Sequence, residues 1–131
     1  MPHDGRYIRG RLVFTTTNGF VVTVDPDSLQ VIATHNLKDM RPGIEVLGWC
    51  RGVCEDPGDP NRFFVAFSFT RRSRWRDYGF WIKHGQKTLP SRIELYDVER
   101  REPVESFEMT PPGSLGFIIF QLDLLPEQLW V

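Results

Sequence analysis

Side chains suited to catalysis are scarce in this chain. Its 131 residues include three histidines and two cysteines, with no G-x-S-x-G nucleophile elbow and no glycine-rich phosphate loop. A catalytic triad needs a nucleophile, a base and an orienting acid within hydrogen-bond reach. His3 falls in a segment that reads as a loose terminus, His35 beside Asn36 on an outer strand, and His84 in a polar insert. Long apolar runs are also missing: none approaches the roughly 20 residues that span a bilayer. The opening MPHDGRYIRG has no hydrophobic segment of the secretory kind. No membrane contact and a cytoplasmic location are therefore the expectations. Charge of one sign is lacking too. With 16 basic against 17 acidic residues, no global field draws the chain to nucleic acid.

Metal ligands are equally thin. A zinc site wants about four ligands at short spacing, and Cys50, Cys54 and one distant histidine do not supply them. Asp25-Pro26-Asp27 and Glu55-Asp56-Pro57-Gly58-Asp59 read as turn residues rather than as a calcium loop. No metal and no cofactor are expected. Four residues of extended strand cover about 13 Å, against about 4.4–6.8 Å between the Cα atoms of a disulfide. Cys50 and Cys54 thus read as two small core side chains, although a turn at Gly52 leaves a bridge open.

What is present is strand, and it repeats. Phe20–Leu37 (FVVTVDPDSLQVIATHNL) aligns without a gap on Arg92–Met109 (RIELYDVERREPVESFEM), so that Val24 falls on Tyr96 and Asp25 on Asp97. Each copy is an alternating run, an acidic turn and a second run, which is a β-hairpin. Upstream, Arg11-Leu12-Val13-Phe14 aligns with Arg62-Phe63-Phe64-Val65. The first offset is 72 residues and the second 51, and an insert between Phe69 and Arg92 takes up the difference. Asn18-Gly19 supplies the tight turn between the second and third strands. Gly43–Cys54 reads as a central strand, Glu55–Asn61 as a loop and Phe63–Phe69 as the most hydrophobic strand. The unit is inner strand, second strand, tight turn, third strand, acidic turn, outer strand. The expected fold class is all-β, with antiparallel four-stranded units. One spans about 7–37, a second about 44–109 with the insert at 70–90, and a third begins at about 116–131.

The succession strand, NG, strand, DPDSL, strand resembles the blades of β-propeller proteins of the YVTN and NHL type. GWCRGV (48–53), FFVAFSFTR (63–71), the hairpin 92–109 and LLP (124–126) are similar to a family of uncharacterised bacterial propeller-like proteins, over about 80 residues. The resemblance implies propeller architecture and brings no chemistry with it. Propellers close with about 4–8 blades, so two blades and the start of a third do not make a ring. The chain is then first a fragment of a longer propeller, second a protomer of a self-associated ring, and third a two-sheet sandwich.

Two groups of residues go beyond scaffold. The insert carries Arg71, Arg72, Arg74, Arg76, Lys83 and Lys87 against Asp77 alone, interleaved with Trp75, Tyr78, Phe80 and Trp81. Aromatic faces with guanidinium groups suit a protein-interface hot spot, a small anionic or sugar-like ligand, or stacked bases. Trp49 and Arg51 stand on a first strand, which in a propeller lines the central channel. The candidate contact residues are Trp49, Arg51, Arg71, Arg72, Arg74, Trp75, Tyr78, Trp81 and Lys83. The expected function is a non-catalytic binding or interaction module. The alternatives are part of a propeller-type lyase or hydrolase completed by further blades, and single-stranded nucleic-acid binding through the insert.

Overall fold

A computed structural model describes residues 2–44, 46–69, 89–109, 119 and 121–124, and every regular element among them is a strand. The strands are β1 (Pro2–Ile8), β2 (Arg11–Thr16), β3 (Phe20–Val24), β4 (Val31–Asn36), β5 (Trp49–Asp56), β6 (Asp59–Ser68), β7 (Arg92–Asp97) and β8 (Glu102–Glu108). They form two antiparallel sheets in chain order, β1-β2-β3-β4 and β5-β6-β7-β8, that do not close into a ring. Among the described residues no helix is long and apolar enough to cross a membrane.

The turns follow from local chemistry. Gly19 takes φ 88° between β2 and β3, and its N–H donates to Thr16 O at 2.9 Å. Between β3 and β4, Asp25 Oδ1 accepts from the N–H of Ser28 at 2.8 Å and of Asp27 at 3.1 Å. Asp97 Oδ1 does the same for Arg100 N–H at 2.9 Å between β7 and β8. These backbone donors, Ser28 in one turn and Arg100 in the other, hold both carboxyls below the usual carboxylate range. Leu29 and Arg101 then adopt matching left-handed φ values of 57° and 59°.

Strand register repeats from sheet to sheet. Leu12 pairs with Val24 and Val13 with Thr23. At the aligned positions, Phe63 pairs with Tyr96 and Phe64 with Leu95. Val24 pairs with Val31 across a bulge after Thr23, and Tyr96 pairs with Pro103 across a bulge after Leu95. Even the closing bonds correspond: Leu37 N–H to Gly19 O at 2.9 Å, and Met109 N–H to Ser91 O at 2.8 Å.

The equivalent faces are nevertheless used differently. Cross-strand partners share a face, so Val13, Thr15, Val21 and Thr23 lie on one side of the first sheet. That side joins Cys50, Val53, Val65, Phe67 and Tyr96 of the second sheet in one buried cluster, with Leu37, Met40 and Leu47 of the connection between them. Val65 and Tyr96 align with Phe14 and Val24, which lie on the opposite side of the first sheet. The sheets therefore stack head to tail, unlike faces together, with β5 against β1 and β2. Thr15 Oγ1 donates to Arg51 O across this junction, and Arg9 pairs with Glu55 at 2.9 Å at its rim.

Three local expectations are corrected. His3 is not in a loose terminus: the first strand begins at Pro2 and pairs with β2 from Pro2↔Thr16 onward. Glu55–Asn61 is not an open loop but the tip of the β5–β6 hairpin. Asp56 Oδ1 accepts from Gly58 N–H, and Asp59 Oδ1 from Asn61 N–H, each at 2.9 Å. Residues 43, 44 and 46–48 are not strand, and β5 starts only at Trp49, after Gly48 takes φ 103°.

Residues 119 and 121–124 cover the first-strand side. Ser68 Oγ bonds both the N–H and the C=O of Ile119 at 2.9 Å. Arg6 of β1 donates to Leu122 O and pairs with Asp123 at 2.6 Å. A Cβ on Gly52 of β5 would stand 2.6 Å from Leu122 N. Gly52→Ala is therefore expected to push this segment off β5 and to cost about 1–3 kcal/mol. Chemical denaturation reads the loss, and an unchanged midpoint would mean that the segment does not pack there.

Candidate functional site

β5 carries two of the expected contact residues, and β1 brings a third side chain to them. Trp49 and Arg51 stand two residues apart, with the Arg51 guanidinium 5.5 Å from the Trp49 ring centroid. This is the distance of a cation–π contact. His3 meets Trp49 edge-on at 6.5 Å between ring centroids. Its Nε2 lies 2.9 Å from Arg51 Nη1. On the other side of the ring, Nδ1 lies 3.3 Å from Asp4 Oδ2. Asp4, His3, Arg51 and Trp49 form one half-buried chain of contacts across the junction of the two sheets. Sequence reasoning placed Trp49 and Arg51 and missed His3 and Asp4, because nothing in PHDG announces a strand. Arg71, Arg72, Arg74, Trp75, Tyr78, Trp81 and Lys83 of the insert lie outside the described residues.

A second polar cluster lies deeper. Arg92 and Glu94 are 1% and 0% exposed. Arg92 Nε donates to Glu94 Oε1 at 2.8 Å, and its Nη1 donates to Leu47 O at 2.6 Å. Its guanidinium carbon stands 4.5 Å from the Phe67 ring centroid. Arg41 reaches Glu94 Oε1 from the connection, and Tyr96 donates its hydroxyl to Glu94 Oε2. Burial pushes the Glu94 carboxyl up, but the hydrogen bond and charge of Arg92, with Tyr96 and Arg41, hold it below its ordinary value. Burial and the Glu94 charge push the Tyr96 hydroxyl well above its ordinary range. Arg92, Arg41 and Tyr96 all donate to the one carboxylate of Glu94, which is the composition of a structural clamp. The cluster ties the connection to β7.

The cysteines are free and buried. Cys50 pairs with Phe67 and Cys54 with Phe64, and Phe67 and Phe64 point to opposite faces of β6. The two thiols therefore cannot bridge without rebuilding β5. Burial pushes Cys50 up to about 12 and Cys54 up to about 11. Since the thiolate is the nucleophile, both are expected to resist alkylation at pH 8 until the protein unfolds. Rapid labelling of the native chain by a thiol reagent would contradict this placement.

Among the described residues no three His, Cys, Asp or Glu side chains gather into a metal-binding group. Comparison with protein-family models, curated proteins and solved structures found no match to the chain.

Proposed function

We propose that this chain is a non-catalytic, propeller-like repeat module that binds a protein partner or a small anionic or sugar-like ligand. The observation that carries the reading is the head-to-tail stacking of two four-stranded units in matching register, with their first strands closest together. In propellers the four-stranded units stand around a central channel, and a first-strand-to-first-strand contact is the arrangement such a reading requires. Trp49 and Arg51 stand on that side of β5, and Trp and Arg are enriched where binding energy concentrates. A flat ring beside a fixed cation suits a carboxylated or phosphorylated sugar.

The test is tryptophan fluorescence of the intact chain titrated with uronates and sugar phosphates, beside Arg51→Ala and Trp49→Phe. A saturable change that both variants lose supports the reading. No response, with tight salt-sensitive retention on heparin that neutralising Arg71, Arg72 and Arg74 abolishes, would move the function to single-stranded nucleic acid. Turnover of a glycan with Arg51 required would make the chain part of an enzyme.

A further inference from the structure

The two outer faces of the stacked sheets differ. On the second sheet the face turned away from the first is closed: Cys54, Ala66, Ser68 and Leu95 are buried, and Ser68 Oγ holds the backbone of Ile119 there. On the first sheet the face turned away from the second is open. Two rows of cross-strand partners run over its four strands, Tyr7↔Leu12↔Val24↔Val31 and Gly5↔Phe14↔Val22↔Thr34. The ends of the first row are exposed, Tyr7 at 68% and Val31 at 62%. Neither row contains Asp, Glu, Lys or Arg. Among the described residues this is the one sheet face left open with an apolar row across every strand, and such a face marks a contact surface.

Bulk is unevenly spread over it. The β1–β2 half carries Tyr7, Leu12 and Phe14, whose ring lies over Gly5: a Cβ on Gly5 would stand 2.5 Å from Phe14 Cε1. The β3–β4 half carries three valines and Thr34. One large half and one small half on an uncharged face make that face complementary to itself. A two-fold axis parallel to the strands sets Tyr7 over Val31 of the other copy and Leu12 over Val24. It keeps the strands of the two copies aligned, as in packed sheets, and brings no like charges together.

We infer that a second copy of this chain docks on the outer face of the first sheet through this two-fold axis, large half on small half. The contact is isologous, so each pairing occurs twice and assembly stops at two copies. The product is a stack of four sheets with the closed second-sheet faces outermost. Eight positions per copy fall short of the roughly 20–30 residues a side of a standard interface, so the dimer is expected to dissociate on dilution. The inference goes beyond the binding-module reading and does not depend on it, because Trp49 and Arg51 stand on β5, outside both rows.

Light scattering on a sizing column, across a hundredfold range of concentration, tests it. The chain is expected to pass from monomer to dimer and no further. Tyr7→Glu/Val31→Glu is expected to stay monomeric throughout, with unchanged far-ultraviolet circular dichroism and Tm. Crosslinking tests the axis. Packed sheets stand about 10 Å apart, within reach of a short bis-maleimide, and the native thiols of Cys50 and Cys54 are buried. A mixture of Tyr7→Cys and Val31→Cys chains is expected to crosslink, and each alone is not. A parent chain that is monomeric at every concentration overturns the inference, as does growth beyond the dimer. Crosslinking of Tyr7→Cys with itself would mean that like halves meet, and the proposed axis would fall. A monomer that still binds a ligand through Arg51 would sink the dimer and spare the binding-module reading; a dimer without any ligand response would do the reverse.

Discussion

Replacing Arg92 by alanine is expected to cost about 3–5 kcal/mol, the usual effect of removing one partner of a buried ion pair. Whole domains of this kind are stable by about 5–15 kcal/mol, so the variant stands near the edge of folding. The cause is specific. Glu94 would keep Arg41 and Tyr96 but lose the donor at 2.8 Å, and Leu47 O would lose its bond to Nη1. Arg92→Lys is expected to recover little of the loss. One ammonium cannot span Glu94 and Leu47 O while lying flat on the Phe67 ring. Arg92→Leu combined with Glu94→Leu is expected to lose less than the sum of the single changes, since the pair is removed whole. Urea denaturation of the four proteins measures the coupling, and additive losses would show that the pair does not interact.

The same cluster is expected to contribute to the loss of stability in acid. Glu94 binds its proton less readily in the folded chain than in the unfolded one, because its folded value is depressed. Its contribution is therefore complete above the ordinary carboxylate range and disappears as pH falls through the depressed value. Glu94→Gln should flatten the acid side of the stability profile. A profile that keeps the steepness of the parent chain would assign the acid limit to other carboxylates.

Phe67→Ala is the second large effect, expected at about 3–5 kcal/mol for a buried aromatic whose cavity cannot collapse. Phe67 is fully buried at the centre of the head-to-tail cluster. It lies beneath the Arg92 guanidinium and meets Tyr96 edge-on with ring centroids 6.3 Å apart. Removing it opens a void under a charge that has nowhere else to go. Phe67→Leu should keep most of the volume and cost clearly less. Thermal unfolding separates the two, and near-parental stability of the alanine variant would place Phe67 outside the core.

Much of this fold was legible in the sequence because strand period and turn chemistry are local. The offset that sets Val24 on Tyr96 also carries the pairing, the bulge and the left-handed residue from Leu29 to Arg101. Turn composition alone did not define loop length at Glu55–Asn61, since the same Asp and Gly residues serve a two-residue tip and a long loop alike. β1 escaped notice because Pro2, Asp4 and Gly5 are poor strand formers, and pairing with β2 outweighs their propensity. The deep Arg92–Glu94–Tyr96 cluster gave no signal. Charges alternating along a strand read as a solvent face, and only contacts from distant parts of the chain, Arg41 and Leu47 of the connection and the Phe67 ring, enclose them. Half of the candidate site had the same origin: Trp49 and Arg51 stand out in their strand, whereas His3 and Asp4 reach them only through the contact of β1 with β5.

The central claim is that the two sheets stack with unlike faces together. Nuclear Overhauser contacts between methyl groups of the selectively labelled chain test it directly. The account predicts contacts from Val13 and Val21 of the first sheet to Val53 and Val65 of the second. Contacts to Val53 and Val65 from Leu12, Val22 and Val24 instead would turn the first sheet over, and the head-to-tail architecture with everything argued from it would fall.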